Sequence, residues 1–254
     1  MTGWPTKEEA TEAISHGRGK GVRIALIDSG VETSHPALAG LTLRDEIAFA
    51  ERDGTILTEP GDGQDAYGHG TAIAGILRAF APEAEIGSFR VLGPQLSARA
   101  GIIAAAAEEA IGRGYHILNC SFGCSIPAHF HRFKLWLDAA LLSGVHVIAA
   151  CSNAARNCTE WPAHYPTVIA VDIGDGPEGS DSLELQRNPG DLIGFSAPGF
   201  DIRVAWAEGG YRVMTGSSFA APHATALLAR LISVYPKLPP LLAKGMLEAL
   251  ALPA

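Results

Sequence analysis

Apolar positions along the chain fall into two kinds of run. Short runs rich in β-branched residues, VRIALID (22–28), EIGSFRVL (85–92), HILNCSFG (116–123), VHVIAACS (145–152) and TVIAVD (167–172), read as buried strands. Longer alanine-rich segments lie between and after them, at 71–80, 98–113, 133–143, 218–234 and 241–250, and read as helices. Pro236 and the Pro239-Pro240 pair end the long apolar helix at 218–234. Strands alternating with such helices require right-handed crossovers, which give an α/β fold with a mostly parallel sheet flanked by helices on both faces. Chemistry in such folds collects at the carboxyl ends of the strands. Residues 50–66 and 174–191, rich in glycine, proline and acids, read as surface loops, and no linker or internal repeat divides the chain. The expected organisation is one catalytic domain over 1–254, with 1–20 as an N-terminal extension.

Composition supports a large core: 47% of the 254 residues are hydrophobic and 18% are charged. The net charge of -8 argues against nucleic acid or an anionic membrane as partner, since an acidic surface repels both. No run is long and apolar enough to span a bilayer. The opening MTGWPTKEEATEAISHGRGKG lacks the apolar core of an export signal, so the expectation is a cytoplasmic protein, or a secreted one if the sequence is trimmed. The four cysteines, Cys120, Cys124, Cys151 and Cys158, lack paired CxxC spacing, which disfavours structural zinc and favours reduced thiols.

Three short patterns carry candidate chemistry: Asp28-Ser29-Gly30, His69-Gly70-Thr71 and Gly216-Ser217-Ser218-Phe219-Ala220-Ala221-Pro222. A single Asp, His or Ser beside glycine is ordinarily a cap or turn residue. A carboxylate, an imidazole and a hydroxyl, each at a strand end or helix start, instead supply what nucleophilic acyl transfer needs. A nucleotide-binding reading of VRIALID fails because no GxGxxG follows it. His129 and His131 have no carboxylate or thiolate at ligand spacing, so no metal site is expected there.

These motifs, in the order Asp, His, Ser, resemble the subtilisin (subtilase) family of serine proteases. The resemblance runs from about Gly21 to Leu231 and includes APEAEIGSFRVL and WPAHYPTVIAV. It implies a serine endopeptidase without cofactor, acting on a peptide or protein bound in extended form. Ser218 would be the nucleophile, His69 the base and then acid, and Asp28 the group that orients His69. Ser217 is the rival nucleophile, but the family pattern of a large apolar residue and then alanine follows Ser218. Asn153 matches the family's oxyanion asparagine, with Ser152 where glycine is usual.

By the same resemblance Ser121, Phe122 and Gly123 form one wall of the primary pocket, and Leu92 and Gly93 begin the segment opposite. Glu160 falls at the pocket floor, where many relatives have glycine. It implies a preference for a basic residue on the acyl side, against the alternative of a solvent-facing loop carboxylate. The Trp161-Pro162 bond is expected to be cis. Cys124 and Cys158 flank the two pocket walls, so a disulfide between them is the alternative to free thiols. The calcium loop that interrupts the helix after the catalytic histidine in many relatives has no counterpart here. Glu59, Asp62 and Asp65 read as solvated loop carboxylates rather than a cation site. The setting implied is peptide processing. A peptide ligase or macrocyclase using the same acyl-enzyme, covered by loop 50–66, and a silent peptide-binding module are the alternatives.

Overall fold

The computed structural model describes residues 4–154, 158–174, 184–188 and 192–251. In chain order its elements are α1 (Lys7–His16), β1 (Arg23–Asp28), β2 (Glu46–Arg52), β3 (Thr55–Pro60), α2 (His69–Phe80), β4 (Glu85–Arg90), α3 (Ala100–Gly112), β5 (Ile117–Cys120), α4 (Phe130–Leu142), β6 (His146–Ala150), β7 (Ile169–Gly174), β8 (Glu184–Asn188), β9 (Leu192–Pro198), β10 (Ile202–Trp206), β11 (Gly210–Met214), α5 (Ser217–Val234) and α6 (Pro240–Leu250). Among the described residues nine strands form one sheet in the order β3-β2-β4-β1-β5-β6-β7-β9-β8, and β10 and β11 form a separate hairpin. Pairing is parallel from β2 to β9 and antiparallel only at the two edges, β2–β3 and β9–β8.

The apolar strands are buried on both faces because helices cover both. Ile24 and Leu26 of β1 join a core shared with α1, α2, α5 and α6, whereas Ala25 and Ile27 join one shared with α3 and α4. Alternate side chains of a strand point to opposite faces, so one uninterrupted run feeds two cores. β1 lies between β4 and β5, where the direction of strand addition reverses. That reversal opens a crevice at the carboxyl end of β1, where Asp28 sits.

Five features were not foreseen. Residues 1–20, read as an extension, contain α1, which buries Ala10, Ala13 and Ile14. Its start is a capping box: Thr6 and Glu9 each hold the other's backbone N–H. Residues 50–66 are largely an edge hairpin rather than a loop, and 184–188 form β8; the rest of 175–191 lies outside the described residues. The parallel strand β9 and the β10–β11 hairpin complete the set. Edge strands need no continuous apolar run, which is why TILTEP and ELQRN carried no signal.

At the opposite end of the sheet from Asp28, His146 is buried at the start of β6, with Nδ1 lacking a partner. Burial, helped by the neighbouring His116 charge, pushes its pKa down to about 4. The folded state therefore holds it neutral. The associated stability is present above its ordinary pKa of about 6.5 and is lost as pH falls toward 4, up to about 3 kcal/mol. Urea midpoints should fall steeply across that window, and His146→Gln should flatten the fall; equal slopes in the two proteins would refute this origin of acid sensitivity.

Candidate active site

Asp28 ends β1 with its carboxylate buried. Its Oδ1 accepts from the Ser29 N–H at 2.8 Å and lies 2.8 Å from His69 Nδ1. His69 opens α2, and glycine on both sides allows the close packing there. A Cβ on Gly70 would lie 2.1 Å from the Gly30 carbonyl oxygen. Gly68 has φ 106°, and a Cβ there would lie 2.6 Å from Trp206 Nε1. The Phe219 ring packs on the imidazole at 5.3 Å between centroids. Burial alone disfavours the His69 cation. The Asp28 charge and hydrogen bond, with Asp65 behind them, outweigh that and hold its pKa above the ordinary value.

Ser218 is the second residue of α5, half-buried, with its N–H in the first turn, where a helix offers no internal acceptor. Ser217, in contrast, is fully buried. Its hydroxyl donates to the Cys151 carbonyl at 2.6 Å and lies 3.0 Å from Asn153 Oδ1, which also accepts the Ser217 N–H at 2.8 Å. Ser217 is thus spent on structure. With its oxygen held, Asn153 is left with its amide N–H groups to offer beside Ser218.

Pro222 explains a further contact. It removes the N–H that would bond the Ser218 carbonyl within α5. The Ser121 hydroxyl donates to that carbonyl instead, at 3.0 Å. Ser121 is held by Asn119 Nδ2 at 2.9 Å, and Asn119 Oδ1 accepts from Thr225 at 2.8 Å. The Ser218 backbone is therefore tied to β5 through a buried polar chain.

His69, Ser218, Asn153, Leu92, Ser121, Phe122, Gly123 and Glu160 all line one cleft of about 470 Å³. Ser218 and His69 have no hydrogen bond to each other among the described residues, a looseness common in catalytic sites before substrate binds. Gly93 lies outside this cleft, in a neighbouring groove. Its N–H donates to Ser97 and its carbonyl accepts from Leu96, so the turn occupies both groups. Glu160 is half-buried, and its carboxylate rests on Gly123: a Cβ there would lie 2.2 Å from Oε2. No ion pair to Glu160 occurs among the described residues. The Trp161-Pro162 bond is cis, and Cys124 and Trp161 exchange both backbone hydrogen bonds, joining the pocket walls. Cys124 and Cys158 form no disulfide, so none staples those walls.

The three loop acids go separate ways. Glu59 pairs with Arg52 and Asp62 with Arg90, each at 2.9 Å. Asp65, expected to be solvated, is instead partly buried and turned toward Ser29, beside the Asp28–His69 pair. No group of three potential ligands able to hold a metal occurs among the described residues. Sequence reasoning missed Tyr67 and Trp206, which pack edge-on at 5.6 Å in the cleft, and Met214 and Thr215. Three of these four come from β10–β11 or the turn after it, far along the chain from His69, and no short motif links them.

A model of the subtilase family matches residues 19–251. The chain belongs to the subtilase family. Subtilisin Savinase from Lederbergia lenta is 30% identical over 81% of this chain and 74% of the relative. Thermitase from Thermoactinomyces vulgaris is 29% identical over 90% and 81%, respectively. M-protease from Shouchella clausii (strain KSM-K16) is 30% identical over 83% of this chain, which spans only 54% of that relative's length. Among solved structures, Sphericase superposes with a TM-score of 0.73 at 26% identity, covering 90% of this subtilase and 82% of that chain. A cold adapted subtilisin-like serine proteinase gives 0.69 at 24%, covering 91% and 82%. This subtilase therefore has the subtilisin-like fold, and α1 stands outside the family match.

Proposed function

We propose that this chain is a serine endopeptidase working through an acyl-enzyme. The Ser218 hydroxyl attacks the scissile carbonyl while His69 takes its proton. Asp28 holds the imidazole in the tautomer that can do so and stabilises the cation formed. The oxyanion is met by the Ser218 N–H and the Asn153 amide. The C–N bond then breaks as His69 returns the proton to the leaving amine. Water, deprotonated by the same histidine, hydrolyses the ester. The observation that carries this reading is the fixed Asn153: its oxygen is held by Ser217, next to a helix-start serine that shares a cleft with a buried Asp28–His69 pair.

The substrate is a peptide or protein segment in extended form, with a basic side chain preceding the scissile bond. Glu160 supports the second part, because a half-buried carboxylate without a cation is costly and an incoming Arg or Lys would pair it. Such a preference suits peptide processing. The free thiols of Cys120, Cys124 and Cys158 also fit a reducing, cytoplasmic setting. The hairpin β2–β3 contributes no residue to the cleft, so it does not supply the cover a ligase or macrocyclase would need.

The test is a defined peptide library analysed by mass spectrometry. Hydrolysis products support the endopeptidase, whereas cyclic or ligated products would replace it with the ligase, and no turnover with the silent binder. In the same assay Glu160→Gln should lower the Arg-over-Leu ratio of kcat/KM by about ten- to hundredfold, the worth of a charged hydrogen bond. An unchanged ratio would remove Glu160 from specificity.

A further inference from the structure

Asp65 lies four residues before His69 and takes five hydrogen bonds. Its Oδ1 accepts from the Ser29 hydroxyl at 2.7 Å, Tyr67 N–H at 3.0 Å and Gly68 N–H at 2.7 Å. Its Oδ2 accepts from the Thr71 N–H at 2.8 Å and the Thr71 hydroxyl at 2.6 Å. These donors fill both oxygens and hold an anionic carboxylate one hydroxyl away from Asp28. We propose that Asp65 is a second carboxylate of the catalytic machinery, a positioning residue that sets the basicity of His69 through Ser29 and Asp28.

The geometry of Ser29 shows how. Its hydroxyl lies 2.7 Å from Asp65 but 3.3 Å from Asp28, and it has a single proton to give. Asp65 takes that proton, while the hydroxyl oxygen accepts the Gly70 N–H at 3.0 Å. Asp28 is thereby left with the Ser29 N–H and His69, and its buried Oδ2 has no partner. An under-bonded carboxylate binds an imidazolium more strongly than a fully satisfied one. The Asp65 charge adds a direct attraction for the same cation. Both effects act in one direction: they raise the proton affinity of His69.

The other titratable groups around the Asp28–His69 pair are few. Tyr67 stands on the same loop and Cys120 at the end of β5, where burial, with the Asp28 charge added, keeps the thiol protonated. Arg90, at the end of β4, is paired with Asp62, and Glu32, after β1, accepts the Glu208 N–H at 2.7 Å. Glu160 lies across the cleft. Among these Asp65 alone is joined to Asp28 through a shared hydroxyl.

The inference rests on His69 acting as general base, and the pH profile of kcat/KM separates the two claims. In the wild-type enzyme activity should rise with pH along an acid limb as His69 loses its proton. Without a limb of this kind, the base assignment itself fails. In Asp65→Asn the limb should move to lower pH by about half to one unit, because the second charge is gone and the Ser29 proton can turn to Asp28. Asp65→Ser gives a second neutral variant should the amide fold poorly, and Asp65→Glu should restore the wild-type limb. A purely structural Asp65 would lower the plateau and leave the limb in place, and that result would overturn the proposal.

Discussion

Ser218→Ala should lower kcat by about 10⁶-fold with little change in KM, the scale known from subtilisin itself when its nucleophile is removed. The residual rate would come from binding and the oxyanion donors, which survive the change. Ser217→Ala should behave differently. Its hydroxyl is buried against the Cys151 carbonyl and Asn153, so its loss frees one anchor of the oxyanion amide and leaves the nucleophile intact. A drop on the order of tenfold is expected, part of what losing the whole donor costs. Steady-state kinetics on one peptide substrate compare the two. If Ser217→Ala proves the more damaging, the roles of these neighbours are reversed.

Asn153→Ala should lower kcat by about 10²–10³-fold, again the scale measured for the corresponding donor in a subtilisin. KM should hold, because the ground-state carbonyl gains little from a donor aimed at the oxyanion. Asn153→Asp sharpens the comparison. It keeps an oxygen to accept from Ser217 but replaces the N–H groups with negative charge beside the oxyanion, so it should be at least as inactive as alanine. A variant that retained full kcat with raised KM would make Asn153 a binding residue rather than a transition-state donor.

The fold and the site were legible in the sequence to different degrees, for physical reasons. Most strands buried on both faces announced themselves, since β1, β5 and β6 are apolar at most positions; β9, whose run is broken by Gly194 and Ser196, did not. β3 and β8 were silent because an edge strand is paired on one side only. Asp28, His69 and Ser218 were readable because each needs glycine or a helix start beside it, and those constraints leave short motifs. Gly70 shows the force of the requirement, with no room for a Cβ against Gly30. Asp65 was misread as a solvated acid because its five donors come from Ser29, from the backbone of Tyr67 and Gly68, and from the N–H and hydroxyl of Thr71 in α2, and the pattern of residue types does not encode that curl. The Pro222 vacancy filled by Ser121 was hidden for a similar reason: its two halves lie on different elements and meet only when α5 docks on β5.

The measurement that tests the central claim most directly is the site of covalent capture by a fluorophosphonate, read by mass spectrometry of the intact and digested protein. One adduct per chain is predicted, on Ser218, slowed by competing peptide substrate, absent in Ser218→Ala and retained in Ser217→Ala. An adduct on Ser217, or none in a preparation that hydrolyses peptides, would contradict the account.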